Sequence, residues 1–541
     1  NNVATRSISY HNYLAEVNSK IMIRLTKHNL VIWITLLVSI TLVQTEVLAN
    51  ENQRTRLIIL ADMGNEPDEV QQMVHMIMCS NEFEPEGLIA VTGKYIRPER
   101  EEEYRRVTHP ELFTEIIDAY AKVYNNLQKH ASGWHSPEYL HTLVCAGQKG
   151  YGIADIGDGK SSPGSELLVK AFEKDDPRPI WIVINAGSNT LAQALLDYEN
   201  SHTKIDLKNL ITKLRVFENG AQDNAGAYIC SRYQTIHWIR SNYQTYAYGG
   251  PGDNSGATAS NVGPHFWGDY EHSVHGQNDW LIENVMENHG PLGEVYPERR
   301  FHDFLDGDLG FMEGGGTIPW IGLANRGLFD INHPSWGGWG GRFSREKVAD
   351  FWSRHHIIYV DEIKYSPFYT YREVSNYWYN PKDQKTYYSD FVPVFRWREA
   401  MYNDFKCRMD WCVQPFKKAN HHPEVAFFND NTDNIIFLSA IPGEKLELDA
   451  SLSSDPDNDE LEFSWWVYEE AGTYPGKVYI DQPTKYKTFM VVPTGAVNKQ
   501  IHLILEIKDK NDIASLFDYR RIVIDVTATY NHLDIKRQID E

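Results

Sequence analysis

Short apolar segments alternate with helix-like segments from Arg56 onward, and this alternation is what most limits the fold of the chain. The apolar segments are residues 57–60, 87–92, 179–184 and 214–217, each four to six residues long. Segments of that length, separated by helices, are typical of parallel strands whose sheet is covered on both faces. We therefore predict an α/β fold with a mostly parallel sheet flanked by helices.

The pattern changes after about residue 420, where short alternating strands replace the α/β pattern. Four such strands lie between residues 445 and 526, with turn residues between them. This pattern is typical of a small all-β sandwich of the immunoglobulin-like kind. We predict that residues 50–420 form the α/β domain and residues 421–530 the sandwich.

The first 49 residues have the pattern of a targeting segment. An apolar run at residues 30–43 is preceded by Arg24 and Lys27 and followed by Ala49. A basic region, a short apolar region and a small-residue cleavage site together predict a secretory signal peptide. The apolar run is shorter than the ~20 residues that usually span a bilayer, which makes an uncleaved anchor the alternative.

We therefore predict an upstream extension at residues 1–21, followed by a signal peptide that is cleaved near Ala49. The mature protein is expected to be secreted or periplasmic, with no membrane insertion after cleavage.

The charge and the cysteine content argue against a nucleic-acid-binding protein and against a protein built on a disulfide framework. A formal net charge of −22 argues against a nucleic-acid ligand, because phosphate binding needs clustered Lys and Arg. Five cysteines in 541 residues are too few for a disulfide framework. Cys407 and Cys412 are close enough in sequence to pair in an oxidising compartment, and free thiols are the alternative.

Four carboxylates occur within eight residues at the end of the first predicted strand. Asp62 stands at the strand end, and Glu66, Asp68 and Glu69 follow a turn that contains Gly64. Like charges this close need a cation, a helix N-terminus or hydrogen bonds to offset their repulsion. Such hard oxygen ligands suit Ca²⁺, which takes about 6–8 of them. The alternative is that Asp68 and Glu69 cap a helix while the other two are solvated.

Polar residues also stand at the ends of the next predicted strands, at Thr92, Asn185 and Glu218. The carboxyl ends of parallel strands form the ligand crevice of an open α/β sheet. We therefore expect Asp62 to open into a pocket at that edge of the sheet.

Residues 57–71, LIILADMGNEPDEVQ, resemble the aspartate-rich signature of nucleoside hydrolases, in which Asp-x-Asp-x-Gly-x-Asp-Asp follows the first strand. They resemble more closely a family typified by a cellulose-binding protein with a nucleoside-hydrolase-like domain. Three further segments match that family, at residues 182–195, 312–328 and 333–343. The resemblance covers roughly residues 55–530 and includes the predicted sandwich.

The resemblance implies metal-binding roles for three residues. Asp62 matches the signature aspartate that binds Ca²⁺ and acts as the base that activates water. Asp68 matches a metal ligand of the same signature. A backbone carbonyl also binds the ion in nucleoside hydrolases, and its position falls near Ala186.

The chain departs from the family pattern at two carboxylates. Leu60 stands where the signature has its first aspartate, and Gly315 stands where relatives often carry a late aspartate. Glu313 is the only carboxylate left in that second motif, and Asp306 and Asp308 are possible substitutes.

Further side chains are predicted to contact a sugar-containing ligand. Asp223 and Asn224 follow a strand and a glycine turn, with an ordinary polar loop as the alternative. Trp336 and Trp339 lie in a glycine-rich segment within residues 240–345, which we predict to be long loops or a lid. Their rings can floor a sugar subsite, or they can pin the segment to the domain. The predicted substrate-binding residues are Glu66, Asn185, Asp223, Asn224, Glu313, Trp336 and Trp339.

Two functions are compatible with these features. The first is an exported, metal-dependent hydrolase of N-glycosyl or related glycosidic bonds, in which Asp62 takes a proton from water. The second is a non-catalytic carbohydrate-binding protein, for example one that binds cellulose, using the same pocket and the Trp-rich loops. Asp62 and Asp68 favour the first, whereas Leu60 and Gly315 favour the second. The expected partner is a carbohydrate or nucleoside-like small molecule, or a polysaccharide.

Overall fold

A computed structural model describes residues 54–241, 244–248, 278–297, 299–301, 309–311, 315–325, 327–348, 363–381 and 384–529. The predicted signal segment at residues 1–49 lies outside the described residues, as do Glu313, Asp306 and Asp308. Within the described ranges, no helix is both long enough and apolar enough to cross a membrane.

The described residues form nineteen strands. In chain order the strands are β1 (Thr55–Ala61), β2 (Phe83–Ala90), β3 (Val144–Ala146), β4 (Ile180–Ile184), β5 (Leu214–Asn219), β6 (His237–Ser241), β7 (Arg299–Phe301), β8 (Leu309–Phe311), β9 (Phe343–Val348), β10 (Phe368–Glu373), β11 (Asn376–Asn380), β12 (Lys385–Ser389), β13 (Ile436–Ala440), β14 (Lys445–Asp449), β15 (Leu461–Val467), β16 (Tyr479–Asp481), β17 (Lys487–Val491), β18 (Lys499–Asp509) and β19 (Phe517–Val526).

The same residues form twelve α-helices, several of which are a single turn. They are α1 (Pro67–Met78), α2 (Glu111–Leu127), α3 (Pro137–His141), α4 (Pro163–Phe172), α5 (Asn189–Ser201), α6 (Lys204–Lys213), α7 (Ala225–Arg232), α8 (Asn278–Leu281), α9 (Gly290–Val295), α10 (Ile318–Ile321), α11 (Val392–Phe395) and α12 (Arg398–Trp411).

Eight strands form one central sheet in the order β3-β2-β1-β4-β5-β6-β10-β9. Neighbouring strands are parallel, except that β9 pairs antiparallel with β10 at the edge. Alternate residues of β1 enter two separate cores, because successive side chains of a strand point to opposite faces. Leu57 and Ile59 pack with α1 and α2, whereas Ile58 and Leu60 pack with α4 and α5. The predicted α/β fold is confirmed.

The strand order reverses at β1, which pairs with β2 on one side and with β4 on the other. Reversal of the strand order opens a crevice beyond the carboxyl ends of the two strands that flank it. Asp62 directly follows β1 and Asn185 directly follows β4. The topology therefore brings both predicted site residues to this crevice.

Two further sheets form the C-terminal sandwich, with strand orders β13-β19-β18-β15 and β14-β17-β16. Leu448 and Met490 of the second sheet share one core with Trp465, Leu505 and Ile524 of the first. The four strands predicted between residues 445 and 526 correspond to β14, β15, β18 and β19, and the all-β fold of this part is confirmed.

The described parts of residues 240–345 contain regular structure that the sequence did not predict. Helices α9 and α10 have six and four residues, and β9 joins the central sheet. Helices this short have no recognisable periodicity, which is why the composition indicated loops.

The sequence left open whether Cys407 and Cys412, near the end of α12, form a disulfide. None of the five cysteines forms a disulfide bond, and Cys407 and Cys412 are buried.

Candidate functional site

Asp62 is buried at the carboxyl end of β1, with 1% of its surface exposed. Its carbonyl oxygen accepts a hydrogen bond from the Asn65 N–H at 3.1 Å, which closes a tight turn. Gly64 in this turn has φ +91°, and a Cβ there would lie 2.8 Å from the Tyr104 hydroxyl. Among the described residues, Asp62 Oδ2 has no hydrogen-bond partner. Since buried polar atoms are normally paired, this oxygen is left for a ligand.

Glu69, which the sequence analysis placed among four carboxylates suited to Ca²⁺ or at a helix cap, is buried in the crevice. It is 4% exposed, and its Oε2 accepts hydrogen bonds from Gln72 Nε2 at 3.3 Å and Asn185 Nδ2 at 3.5 Å. Glu66 occupies the N-cap position of α1, but its side chain makes no capping hydrogen bond. The first turn of α1 therefore directs a carboxylate towards the end of β4, and the sequence did not predict the contacts of Glu69 with Gln72 and Asn185.

The buried carboxyls raise one another's pKa. Burial raises the pKa of Asp62 well above its usual range, and the charges of Asp68 and Glu66 raise it further. Burial also raises the pKa of Glu69 well above its usual range, with added contributions from Asp68 and Asp62. Arg105 lowers the pKa of Asp62, but burial outweighs it. A cation bound here would offset this repulsion.

Asn185 links β4 to the crevice. Its N–H donates to the Leu60 carbonyl at 2.8 Å, and its Oδ1 is buried without a partner among the described residues. A Cβ on Gly316 would lie 2.6 Å from Asn185 Nδ2, so only glycine lets this segment approach so closely. The motif in which Gly315 replaces a carboxylate therefore packs directly against Asn185.

Ala186 is fully buried beside Asn185. Its Cβ would lie 3.0 Å from a Cβ placed on Gly93, which follows the end of β2. Gln222 bridges the same strand ends, because it donates to the Asn185 carbonyl at 3.2 Å and accepts from the Lys94 N–H at 3.2 Å. The ends of β1, β2 and β4 therefore lie close together, with Gln222 from the loop after β5 beside them.

Asp223 and Asn224 have their polar atoms engaged within the protein. Asp223 accepts hydrogen bonds from the Asn189 N–H at 3.2 Å and the Ala225 N–H at 2.9 Å, at the first residues of α5 and α7. Asn224 Oδ1 accepts from the Ile153 N–H at 2.9 Å. These contacts give both residues a structural role, and their predicted contacts with a sugar stay a prediction. Glu218 is similarly engaged by Arg240, Trp238 and Ser188.

The two tryptophans of the glycine-rich segment are buried, with 6% of Trp336 and 1% of Trp339 exposed. Trp336 stacks on His333 at 4.0 Å and meets His502 of the sandwich at 4.8 Å between ring centroids. Trp339 meets Tyr519 of the sandwich edge-on at 6.5 Å. A ring covered by protein cannot form the floor of a sugar subsite. The structure therefore favours the alternative, in which the two rings pack the glycine-rich segment against the rest of the protein.

Two oxygen atoms of the crevice, which have no hydrogen-bond partner among the described residues, suit a hard cation. Asp62 Oδ2 and Asn185 Oδ1 are carboxylate and amide oxygens, which Ca²⁺ prefers. Sets of three His, Cys, Asp or Glu ligand atoms within 4.8 Å of one another occur elsewhere among the described residues, but not here. A cation at Asp62 would therefore need amide or main-chain oxygens in addition to carboxylates.

A second candidate site, here called the aromatic groove, lies between the β11–β12 hairpin, the start of α12 and the sandwich. Its volume is about 740 Å³. Tyr377 and Tyr379, two residues apart on β11, are 62% and 57% exposed, and Tyr388 stacks on Tyr377 at 4.2 Å. These residues were not predicted as a site, although the alternation in NYWYN is a visible signal. The charged residues that line the groove are Arg396, Glu399, Glu469, Glu470, Glu506 and Lys508.

Glu506 gives the aromatic groove a pH-dependent charge. Burial raises the pKa of Glu506 to about 7, against the opposing effects of Arg396 and a hydrogen bond with Trp466. A carboxyl whose pKa rises on folding stabilises the fold at low pH, and this contribution is lost as the pH rises through about 7. We expect it to lower the free energy of unfolding by about 1–2 kcal/mol between about pH 5 and pH 8.

Urea unfolding at the two pH values measures this effect. Glu506→Gln is expected to remove that part of the pH dependence, whereas the exposed Glu447→Gln is expected to leave it unchanged. An identical pH dependence in wild type and Glu506→Gln would contradict the prediction.

Two family models match the chain. Cellulose-binding Sde182, nucleoside hydrolase-like domain, matches residues 56–343, and cellulose-binding protein Sde0182, C-terminal domain, matches residues 445–526. Comparison with curated proteins gives no match.

Solved structures also resemble the chain. A nucleoside hydrolase-related hypothetical protein from Saccharophagus degradans, associated with carbohydrate metabolism, is 33% identical, with 88% of this chain and 100% of that chain covered and a TM-score of 0.71. The type III effector XopQ, solved with adenosine diphosphate ribose, is 10% identical over 47% of this chain and 68% of its own, and its TM-score of 0.26 supports no inference.

Proposed function

The chain belongs to the cellulose-binding Sde182 family with a nucleoside hydrolase-like domain, and on that basis we propose that its crevice around Asp62 hydrolyses N-glycosyl or related glycosidic bonds. The observation that supports this proposal is the pair of unpartnered buried oxygens, Asp62 Oδ2 and Asn185 Oδ1, at the reversal of strand order. A carbohydrate or nucleoside-like small molecule is the expected substrate. Export is part of the proposal, because residues 24–49 have the pattern of a signal peptide.

Each residue of the crevice has a separate role in the proposed hydrolysis. Asp62 Oδ2 accepts a proton from the attacking water, whose oxygen bonds to the anomeric carbon as the bond to the leaving group breaks. Asn185 Oδ1 is placed to accept a hydrogen bond from a sugar hydroxyl, and Glu69 holds the Asn185 amide in position. Asp62, Asp68, Asn185 and the Ala186 carbonyl would hold Ca²⁺, which when bound acidifies water and orients sugar hydroxyls.

The test is release of base or aglycone from a panel of nucleosides and aryl glycosides by the purified protein, in Ca²⁺ and in chelator. Release that depends on Ca²⁺ and on Asp62 is the expected result. No release from any member of the panel by a folded protein would contradict hydrolysis as the function of the crevice.

A second function, carbohydrate binding without catalysis, is favoured by the aromatic groove. Exposed aromatic rings beside charged and polar groups match the alternating apolar faces and hydroxyl edges of a sugar chain. The family description names cellulose binding, which makes a β-glucan the ligand to test. The buried Trp336 and Trp339 do not contribute to this surface.

Removing both exposed rings of β11 is expected to reduce retention on insoluble cellulose about tenfold. Each ring contributes about 0.5–1.5 kcal/mol beyond simple area burial, so Tyr377→Ala with Tyr379→Ala loses the sum of two such contacts. Depletion of protein from solution by increasing amounts of cellulose gives the affinity. Tyr479→Ala, which removes a ring that is 60% exposed on β16, is the matched control. Equal retention of the double variant and this control would exclude the groove as the binding surface.

A further inference from the structure

A compact set of potential metal ligands lies between α1 and α12, apart from the crevice and the aromatic groove. His75 lies in the last turn of α1, and Cys79 directly follows the helix, with its N–H donating to the His75 carbonyl at 3.2 Å. Asp404 reaches them from α12. One ligand atom from each of the three lies within 4.8 Å of the others, and all three side chains are buried, with 1% or less of each exposed.

One ring nitrogen of His75 has no hydrogen-bond partner in the part of the chain that the structure describes. Its Nδ1 lies 3.0 Å from the Tyr248 hydroxyl, whereas Nε2 is buried and has no hydrogen-bond partner among the described residues. The ring stacks on Phe405 at 3.9 Å, which fixes its plane. An unpaired buried polar atom lowers stability, so this nitrogen is a candidate ligand atom for a metal ion.

Asp404 is oriented as a second ligand would be. Its Oδ1 accepts hydrogen bonds from Arg408 Nε at 2.7 Å and from His422 Nε2 at 2.7 Å, while Oδ2 faces Cys79 Sγ at 3.9 Å. Ligands of Zn²⁺ stand about 2.3 Å (sulfur) and 2.0–2.2 Å (oxygen) from the ion, which places a tetrahedral S and O about 3.5 Å apart. The Cys79–Asp404 separation is within a few tenths of an ångström of that value.

We propose that His75, Cys79 and Asp404 bind a divalent transition-metal ion of the Zn²⁺ class that fastens α1 to α12. Nitrogen, sulfur and oxygen donors together suit Zn²⁺ rather than the hard, oxygen-bound Ca²⁺ of the Asp62 crevice. The thiol of Cys79 loses its proton to solvent on binding, and the thiolate and carboxylate together balance the two positive charges.

This site is independent of the proposed hydrolysis, and its test uses spectroscopy and metal content instead of activity. The full chain is produced in Co²⁺-supplemented or Zn²⁺-supplemented medium, desalted with a weak chelator, and analysed for bound metal. We expect about one ion per chain. For Co²⁺ we also expect a near-ultraviolet thiolate-to-metal charge-transfer band, which requires a cysteine ligand.

Cys79→Ser is expected to abolish the charge-transfer band and to lower bound metal at least tenfold. Cys230→Ser, which alters another buried cysteine outside any disulfide, is the matched control and is expected to retain both. A folded wild-type protein without bound metal, or with metal but without the band, would overturn the proposal. Retention of the band by Cys79→Ser would also overturn it. If Cys79→Ser does not fold, the wild-type metal content and spectrum decide the question alone.

Discussion

Replacing Asp62 by alanine is expected to reduce hydrolysis of the best substrate by about 10²–10⁴-fold. Asp62 supplies the only buried carboxylate oxygen at the end of β1 that has no hydrogen-bond partner among the described residues of that turn. Without it, the attacking water loses its base and the cation loses a ligand. Initial rates at saturating Ca²⁺ measure the loss. Asp118→Ala, an exposed acidic site on α2, is the control and is expected to keep wild-type rates.

Asp62→Asn gives a second readout that does not depend on turnover. Burial and the charges of Asp68 and Glu66 raise the pKa of Asp62, so its carboxyl stabilises the fold only at low pH. That contribution is lost as the pH rises through the raised pKa, and the charged form strains the cation-free protein at neutral pH. We therefore expect Asp62→Asn to be more stable than wild type in chelator at neutral pH, and to gain less stability from Ca²⁺. Equal rates in wild type and Asp62→Ala, with equal responses to Ca²⁺, would contradict both the base and the ligand role.

The position of Asp62 was predictable because it depends on strand periodicity and on chain order. Residues 57–60 are apolar without alternation, which is the pattern of a strand covered on both faces, and the residue after such a strand falls at the ligand edge of the sheet. The same reasoning correctly placed Asn185 after β4. These inferences need only local pattern and topology.

Roles that depend on packing between distant segments were not predictable. Glu69 is a residue of the first turn of a helix in sequence, and only the approach of α1 to β4 turns it towards Asn185. Asp223 looked like a sugar ligand because it follows a strand, but two helix N-termini converge on it. Trp336 and Trp339 looked accessible because glycine surrounds them, and the sandwich that covers them is far away in sequence.

Arg521 connects the glycine-rich segment that contains Trp336 and Trp339 to the sandwich. Arg521 lies on β19, and its guanidinium donates to the Leu328 carbonyl at 2.8 Å and the Gly337 carbonyl at 2.9 Å. Burial lowers the pKa of Arg521 to about 10, and the group still carries its charge at neutral pH. Both carbonyls belong to the glycine-rich segment, so this side chain holds residues 328–337 against the sandwich.

Arg521→Ala is therefore expected to lower the free energy of unfolding by on the order of 3 kcal/mol, because two buried carbonyls lose their donor. Hydrogen exchange across residues 327–341 is expected to accelerate at least tenfold, since this segment opens once it is no longer held. Arg520→Ala is the matched control: Arg520 is equally buried, but it donates to the Val425 and Asn434 carbonyls outside that segment. It is expected to lower stability without accelerating exchange at residues 327–341. If both variants accelerate exchange there equally, the Arg521 side chain does not hold the segment, and other contacts keep it in place, such as ring packing and the bond from the Arg521 N–H to the Gly327 carbonyl at 2.8 Å.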